Sequence, residues 1–447
     1  MSAAAASPGG GGSGDAAAGK EAAAAQGGGG KEGPSAAAPL PPTIVVGGLQ
    51  YAAPYDEHKV TWIKDRFEGR PLCEVLGEMW RMHRGEQPLA EAAAFWRSEV
   101  QGGRVEYRGR KRKIDDPNYE FRPPDPDLAV EKGASLRILR HVHERVVPEA
   151  TVRVLWENER VLAIDKPAGH ATLGETVGPN SLLGIVSQAT GWSCHPAHRL
   201  DKPVSGVLLL GKSKGKAAKL LSKISQKEKV TKVYVARVQR ARAAGAAGAA
   251  GAADAGSFGE EAFTVCAALR WAKGEGGAEA RSEVVEGEAL SAEKAVRERA
   301  GQSMAALATT SFRRLCTMPD GTLVVECRPL TGQRHQIRAH LAHIGWPIAN
   351  DGLYGGSLPA EGDERTAYQD DAKGTLAQFY GAPRHWRDWC PKCAWTRGLL
   401  EPGTERVPPP VGGGAIWLHA LRYVIPDAGI DVTAPLPRWA EAAEGHV

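Results

Sequence analysis

No apolar run in this 447-residue chain approaches the ~20 residues a membrane-spanning helix needs, so no membrane partner is expected. Cysteine is scarce. Seven are scattered along the chain, an odd number that builds no disulfide framework and points to a reducing compartment. A dominant charge sign is also lacking, since 56 basic residues face 52 acidic ones for a net charge of +4. A polyanion-binding surface would therefore have to come from local clustering. The first 42 residues are mostly Ala, Gly, Ser and Pro and hold almost no large apolar side chain, so disorder is expected there. They also lack arginine and an apolar stretch, and they carry Asp15, Glu21 and Glu32, which fits neither a transit nor a secretory peptide. Cytoplasm or nucleus is the expected compartment, with organellar targeting left open. Cys390-Pro-Lys-Cys393 has no second ligand pair, only His385 and His419 nearby in sequence, so no metal is expected.

What the chain does contain changes texture along its length. Residues 43–150 read as a small folded module: Leu72, Val75, Leu76 and Met79 fall on one helical face, and Arg104–Lys113 alternates before ending in a basic cluster. That cluster is either a solvated hairpin tip or a phosphate contact. Residues 151–430 form the main domain. Thr151–Trp156 and Arg160–Ile164 are β-rich around the turn Glu157-Asn158-Glu159, and Pro167 and Gly169 stop the second strand. Ser213–Lys229 reads as a helix capped by Ser213, with Ala217, Leu220, Leu221 and Ile224 as its apolar stripe. Between Arg199 and Arg240 twelve basic residues face two acidic ones, a local excess typical of a polyanion-binding face. Thr231–Val238 is a strand. Residues 241–308, with their Ala-Ala-Gly units, read as a flexible insertion that holds one candidate strand at Phe263–Trp271. Thr309–Thr317 and Thr322–Cys327 flank the turn Pro319-Asp320-Gly321, and 431–447 is expected to be a C-terminal tail.

The chemistry concentrates in two stretches. His198-Arg-Leu-Asp-Lys-Pro-Val-Ser-Gly206 places Asp201 in a turn just before the apolar run Val207–Leu210. A carboxylate there is costly to desolvate unless it is paired or used. Thr331-Gly-Gln-Arg-His-Gln-Ile-Arg-Ala-His-Leu341 lies about 130 residues on and is dense in cations and hydrogen-bonding groups. In order and spacing the two resemble the HRLDxxTSG and GRxHQIRxHL signatures of RluA-type RNA pseudouridine synthases. Lys232-Val-Tyr-Val-Ala236, Asp165-Lys-Pro-Ala-Gly169, Gly345–Gly355 and Leu418-His-Ala420 resemble supporting motifs of that family. Asp165, Val204, Gln333 and Asn350 depart from its usual Asn, Thr, Arg or Lys, and Gly.

The resemblance implies an α+β fold with a mixed, mostly antiparallel sheet, flanking helices and a central cleft, preceded by a small degenerate RNA-binding module that lacks its usual second helix. It implies isomerisation of uridine to pseudouridine without a cofactor. Asp201 would be the nucleophile, Arg338 its cationic partner, and Tyr234 the group that packs on the target base and assists proton removal. Arg199 would fill the space left by the flipped base. Lys166, Lys216, Lys219, Lys223, Arg334 and His335 would contact RNA. Asp351, Tyr354 and His419 are read as structural. The implied substrate is tRNA first, with rRNA or mRNA as other options, and the implied state is a monomer. Two rivals remain. One is a non-catalytic RNA-binding protein on the same fold, which would not require Asp201, Tyr234 and Arg338 together. The other is a carboxylate glycosidase, which needs a second acid, and Asp351 is the only candidate.

Overall fold

The computed structural model describes residues 40–446, apart from 47, 85–88, 111–118, 143, 145, 175–177, 227–228, 242–257, 260, 273–278, 286–305 and 359–413. The N-terminal part contains β1 (Thr43–Val46), β2 (Leu49–Ala52), β3 (Tyr55–Trp62), α1 (Leu72–Arg84), α2 (Leu89–Gln101), β4 (Val105–Arg108), β5 (Ser135–Val142) and β6 (Val147–Pro148). Strands β3, β5 and β4 form one antiparallel sheet in that order, and β1, β2 and β6 form another. Leu72, Val75 and Leu76 of α1 meet Phe67, Trp96, Val105 and Leu136 in a core separate from that of the main sheet. The helix α2 corrects the expectation that a second helix is missing. Its buried apolar residues are Ala92, Trp96 and Val100, spaced four apart, and two of these three are too small or too isolated to give a strong sequence signal. Of the basic cluster, Lys111, Arg112 and Lys113 lie outside the described residues, whereas the Arg108 guanidinium sits 4.2 Å over Tyr119 and 4.4 Å over Phe121.

The main body adds β7 (Arg153–Glu157), β8 (Val161–Lys166), α3 (Leu182–Thr190), β9 (His195–Pro196), β10 (Ser205–Gly211), α4 (Lys214–Ile224), β11 (Thr231–Val238), β12 (Phe263–Ala272), β13 (Arg281–Val285), β14 (Ala306–Thr317), β15 (Leu323–Pro329), α5 (Gln336–His343), β16 (Leu418–Ile425) and β17 (Ile430–Thr433). One eleven-stranded sheet runs β13-β12-β14-β15-β11-β16-β10-β8-β7, with β17 on β16 and β9 on β10. Its pairs are antiparallel except β10–β16. The molecule is thus α+β with a large mixed, mostly antiparallel sheet, as the sequence implies.

Strand β10 explains its own apolar run. Leu208 and Leu210 pack on one face with α3 and α5, while Val207 and Leu209 pack on the other with α4, so both faces are covered and no alternation is required. Gly206, second in this strand, has φ +107, and a Cβ there would lie 2.2 Å from the Ala420 carbonyl oxygen of β16. The close parallel contact needs glycine. At the turn between β7 and β8, Asn158 Oδ1 accepts from the N–H groups of Arg160 and Val161, each at 2.8 Å.

Two expected boundaries are corrected. Residues 431–447 are not a tail among the described residues: β17 pairs with β16, and Ala440 and Ala443 are buried against Val233, Leu315 and Leu421. Small alanines carried that packing and left no sequence signal. Within 241–308, β12 and β13 extend the main sheet by pairing from β14 outward. Most of the Ala-Ala-Gly tract lies outside the described residues.

Candidate active site

The loop that carries Asp201 is fastened from several sides. Thr172 Oγ1 donates to the Leu200 carbonyl at 2.8 Å and accepts from the Leu200 N–H at 3.0 Å. Gly169 N–H donates to the Lys202 carbonyl at 2.8 Å. His198 Nε2 accepts from the Leu209 N–H at 3.0 Å and its ring stacks on Tyr423 at 4.8 Å, so this histidine ties the loop to β10. Lys166 ends β8 behind the loop. Its ammonium donates to the carbonyls of His170 (2.7 Å), Pro167 (2.8 Å) and Lys202 (3.3 Å). Burial pulls its pKa down to about 7, against the nearby carboxylates of Asp201 and Asp165. The expectation that Lys166 meets RNA phosphate is corrected: the side chain is fully buried and its donors are taken.

The partner residues come from α5 and the turn before it. Gln336 fixes that turn: its Oε1 accepts from Thr331 Oγ1 and the Gln333 N–H, and its Nε2 donates to Thr309 O and Thr310 Oγ1. His335 sits at the helix start with φ 52, the only non-glycine residue with positive φ among the described residues. Arg338 is one turn into the helix, 5% exposed, and points back over it.

Asp201, with its side chain 18% exposed, therefore faces an imidazole and a guanidinium. His335 Nε2 is 3.6 Å and Arg338 Nη1 3.8 Å from its Oδ2. Both distances exceed hydrogen-bond length, so the carboxylate lone pairs stay open to a substrate. The strong pairing of Arg338 goes elsewhere: Nε and Nη2 form a bidentate pair with Asp351 at 2.6 and 2.8 Å. Burial works against the Arg338 charge, and Asp351 outweighs it, holding the pKa above the usual value. Asp351 is 2% exposed, which argues for a supporting acid rather than the second acid of a glycosidase. Tyr234, on β11, is close enough that the Asp201 charge adds to burial in holding the phenol well above its usual pKa. Burial pushes His335 down to about 4.

The other expected contacts divide. Arg199 is exposed on the Asp201 loop, and Arg334 is exposed with its guanidinium 4.1 Å over the Trp271 ring. Lys216, Lys219 and Lys223 are not brought to the site: α4 packs through Leu220 on the sheet face opposite Ile337 and Leu341 of α5. Lys223 also donates to the Asp427 carbonyl. The expectation of a phosphate-contacting lysine face beside Asp201 is corrected accordingly, since closeness in sequence crosses the sheet. His419 is buried with Nδ1 2.8 Å from Ser205 Oγ. Cys390 and Cys393 lie outside the described residues, and among the described residues no three His, Cys, Asp or Glu side chains are grouped to hold a metal. Sequence reasoning missed Trp271 and the loop-tying role of His198. The sequence signals only a strand ending at Trp271, not what that ring meets.

Comparison with known proteins points to one family. The family model described as RNA pseudouridylate synthase matches residues 160–343, which include both signature stretches. RNA pseudouridine synthase 7 of Oryza sativa is 26% identical over 88% of this chain and 90% of its own length. The tRNA pseudouridine(31) synthase of Saccharomyces cerevisiae is 24% identical over 88% and 96%, respectively. The mitochondrial tRNA pseudouridine(32) synthase of the same yeast is 27% identical over 70% of this chain, which spans only 56% of that protein. Residues 160–343 thus match the RNA pseudouridylate synthase family model, and the relatives that cover most of this chain are RNA pseudouridine synthases.

Proposed function

We propose that the chain isomerises uridine to pseudouridine in tRNA, with Asp201 as the nucleophile. The observation that carries this reading is the placement of Asp201: a half-open carboxylate faced, but not neutralised, by the buried Arg338. The tRNA assignment rests on the names of the yeast relatives.

The reaction breaks the N1–C1′ bond, turns the uracil and joins C5 to C1′, while the C5 proton is lost and one is gained at N1. Atoms and electrons balance without a cofactor. The target base leaves its stack at a cost of a few kcal/mol, and the exposed Arg199 fills the gap. Asp201 attacks through its carboxylate, with the Arg338 guanidinium 3.8 Å away. Tyr234 walls the base. Burial and the Asp201 charge hold its pKa above the usual value, so at neutral pH it is a phenol that packs on the base. Phosphate contacts fall to Arg334 beside the site and to the N-terminal module, where Arg108 and Arg137 are interleaved with Tyr119 and Phe121.

Asp201→Asn keeps size and removes charge. It should bind unmodified tRNA transcripts with wild-type affinity and form no pseudouridine, scored as an isomer of unchanged mass. Measurable turnover by the purified variant rejects the nucleophile assignment, and free uracil from the wild type rejects isomerisation of that RNA.

A further inference from the structure

The β12–β13 hairpin grips the residue that faces Asp201. Trp271 and Ser282 are cross-strand partners in that hairpin, and both reach the turn before α5. The Trp271 ring meets His335 edge-on at 5.2 Å while Arg334 lies over it at 4.1 Å. Ser282 Oγ donates to the Arg334 carbonyl at 2.6 Å. The Ser282 N–H donates to the Tyr354 hydroxyl oxygen at 2.9 Å, and that hydroxyl lies 3.0 Å from His335 Nδ1.

These contacts pose a question of proton placement. The Tyr354 hydroxyl has one proton and two oxygens or nitrogens within reach, the Ser282 carbonyl at 3.1 Å and His335 Nδ1 at 3.0 Å. Given to the carbonyl, it leaves the imidazole proton on Nδ1 and aims the Nε2 lone pair at the Asp201 carboxylate, which is repulsive. Given to Nδ1, it puts the imidazole proton on Nε2, facing Asp201 Oδ2 at 3.6 Å. The Arg338 guanidinium lies 4.8 Å over the Tyr354 ring, in the same cluster. Burial keeps His335 neutral, so its tautomer decides what Asp201 meets.

We infer that Tyr354, held by the β12–β13 hairpin, is a positioning residue that fixes the Nε2–H tautomer of His335 and so turns an uncharged N–H, rather than a lone pair, toward Asp201 at 3.6 Å. A neutral donor supports the carboxylate without drawing it into an ion pair. It also gives a reason for a histidine held in a left-handed conformation at the start of α5. The inference rests on Asp201 being the nucleophile.

The test is a double-mutant cycle on the full chain with unmodified tRNA transcripts, with folding followed by circular dichroism. Tyr354→Phe keeps the ring and removes the hydroxyl. It should lower kcat about tenfold, as the Nε2 lone pair turns toward the carboxylate, and leave KM unchanged. His335→Gln carries an amide N–H at the place of Nε2 and does not depend on Tyr354, so it should keep most of the activity, and adding Tyr354→Phe to it should cost nothing more. His335→Ala should lose what Tyr354→Phe loses or more. Equal effects of Tyr354→Phe in both backgrounds, or an effect on KM alone, overturn the relay. Asp201→Asn run in parallel separates the two ideas. If it turns over, the nucleophile reading falls. If it is inactive while Tyr354→Phe leaves kcat unmoved, only the relay falls.

Discussion

At the scale of single residues, the site consists of two carboxylates given different partners. Asp351 is buried and owns the bidentate face of Arg338, whereas Asp201 is half-open and sees only Nη1. The same cation therefore holds one acid and leaves the other reactive. Asp351→Asn should act on both stability and chemistry. Removing one partner of a buried ion pair leaves the other uncompensated and typically costs about 3–5 kcal/mol, read as a lower urea midpoint. The freed guanidinium should then close on Asp201 and lower kcat more than it raises KM. A variant with wild-type stability and wild-type kcat would show that the pair does not set the nucleophile's freedom. Asp201 and Arg338 were legible in the sequence because their motifs are dense and specific. Asp351 was legible only as structural, because its worth lies in a contact thirteen residues away. Asn350 shows the same limit. It reads as a changed turn residue, yet its side chain donates to Ala415 O and accepts from the Trp417 N–H, tying the turn to the start of β16.

At the scale of elements, strands were readable where one face or both faces were consistently apolar, and Thr231–Val238 has the observed bounds of β11. Side-of-sheet assignment was not readable. The lysines of α4 follow Asp201 within a few residues, but β10 intervenes, and its alternating side chains send α4 and α5 to opposite faces. Replacing Lys216 and Lys219 with Ala should therefore leave kcat and KM for tRNA close to wild type. The slope of log affinity against log salt should also be unchanged, whereas each lost phosphate contact would reduce it by roughly 0.7–0.9. A slope reduced by that amount would mean the RNA wraps past the edge of the sheet to reach the far face. The hairpin β12–β13 was half legible for a related reason. Its first strand reads as β, but what it docks against is set by the pairing with β14, which no local pattern reveals.

At the scale of the whole molecule, four histidines of the main domain are held neutral by burial. His198, His335, His340 and His419 are each lowered from 6.5 to about 4. Between these values the unfolded chain binds protons that the folded chain refuses. Stability therefore rises with pH across this window and falls as pH drops from about 6.5 to about 4, by up to about 1.4 kcal/mol per pH unit for each group. Below pH 4 these four groups add nothing further. The carboxylates paired to arginine or hydrogen-bonded, such as Glu326 and Asp320, are shifted down and lose their contribution at more acidic pH, so the two losses come in sequence. Urea midpoints should thus begin to fall below pH 6.5, well before carboxylate protonation. His340 isolates one share of the effect, because its Nδ1 contacts Thr310 Oγ1 at 3.0 Å while its buried Nε2 has no partner. His340→Asn keeps a polar atom near Nδ1 and removes the titrating ring. Proton uptake on unfolding at pH 5 should drop by close to one proton, whatever the variant's absolute stability. An unchanged uptake would mean that His340 already titrates normally in the folded protein, and that the acid sensitivity belongs to His198, His335 and His419.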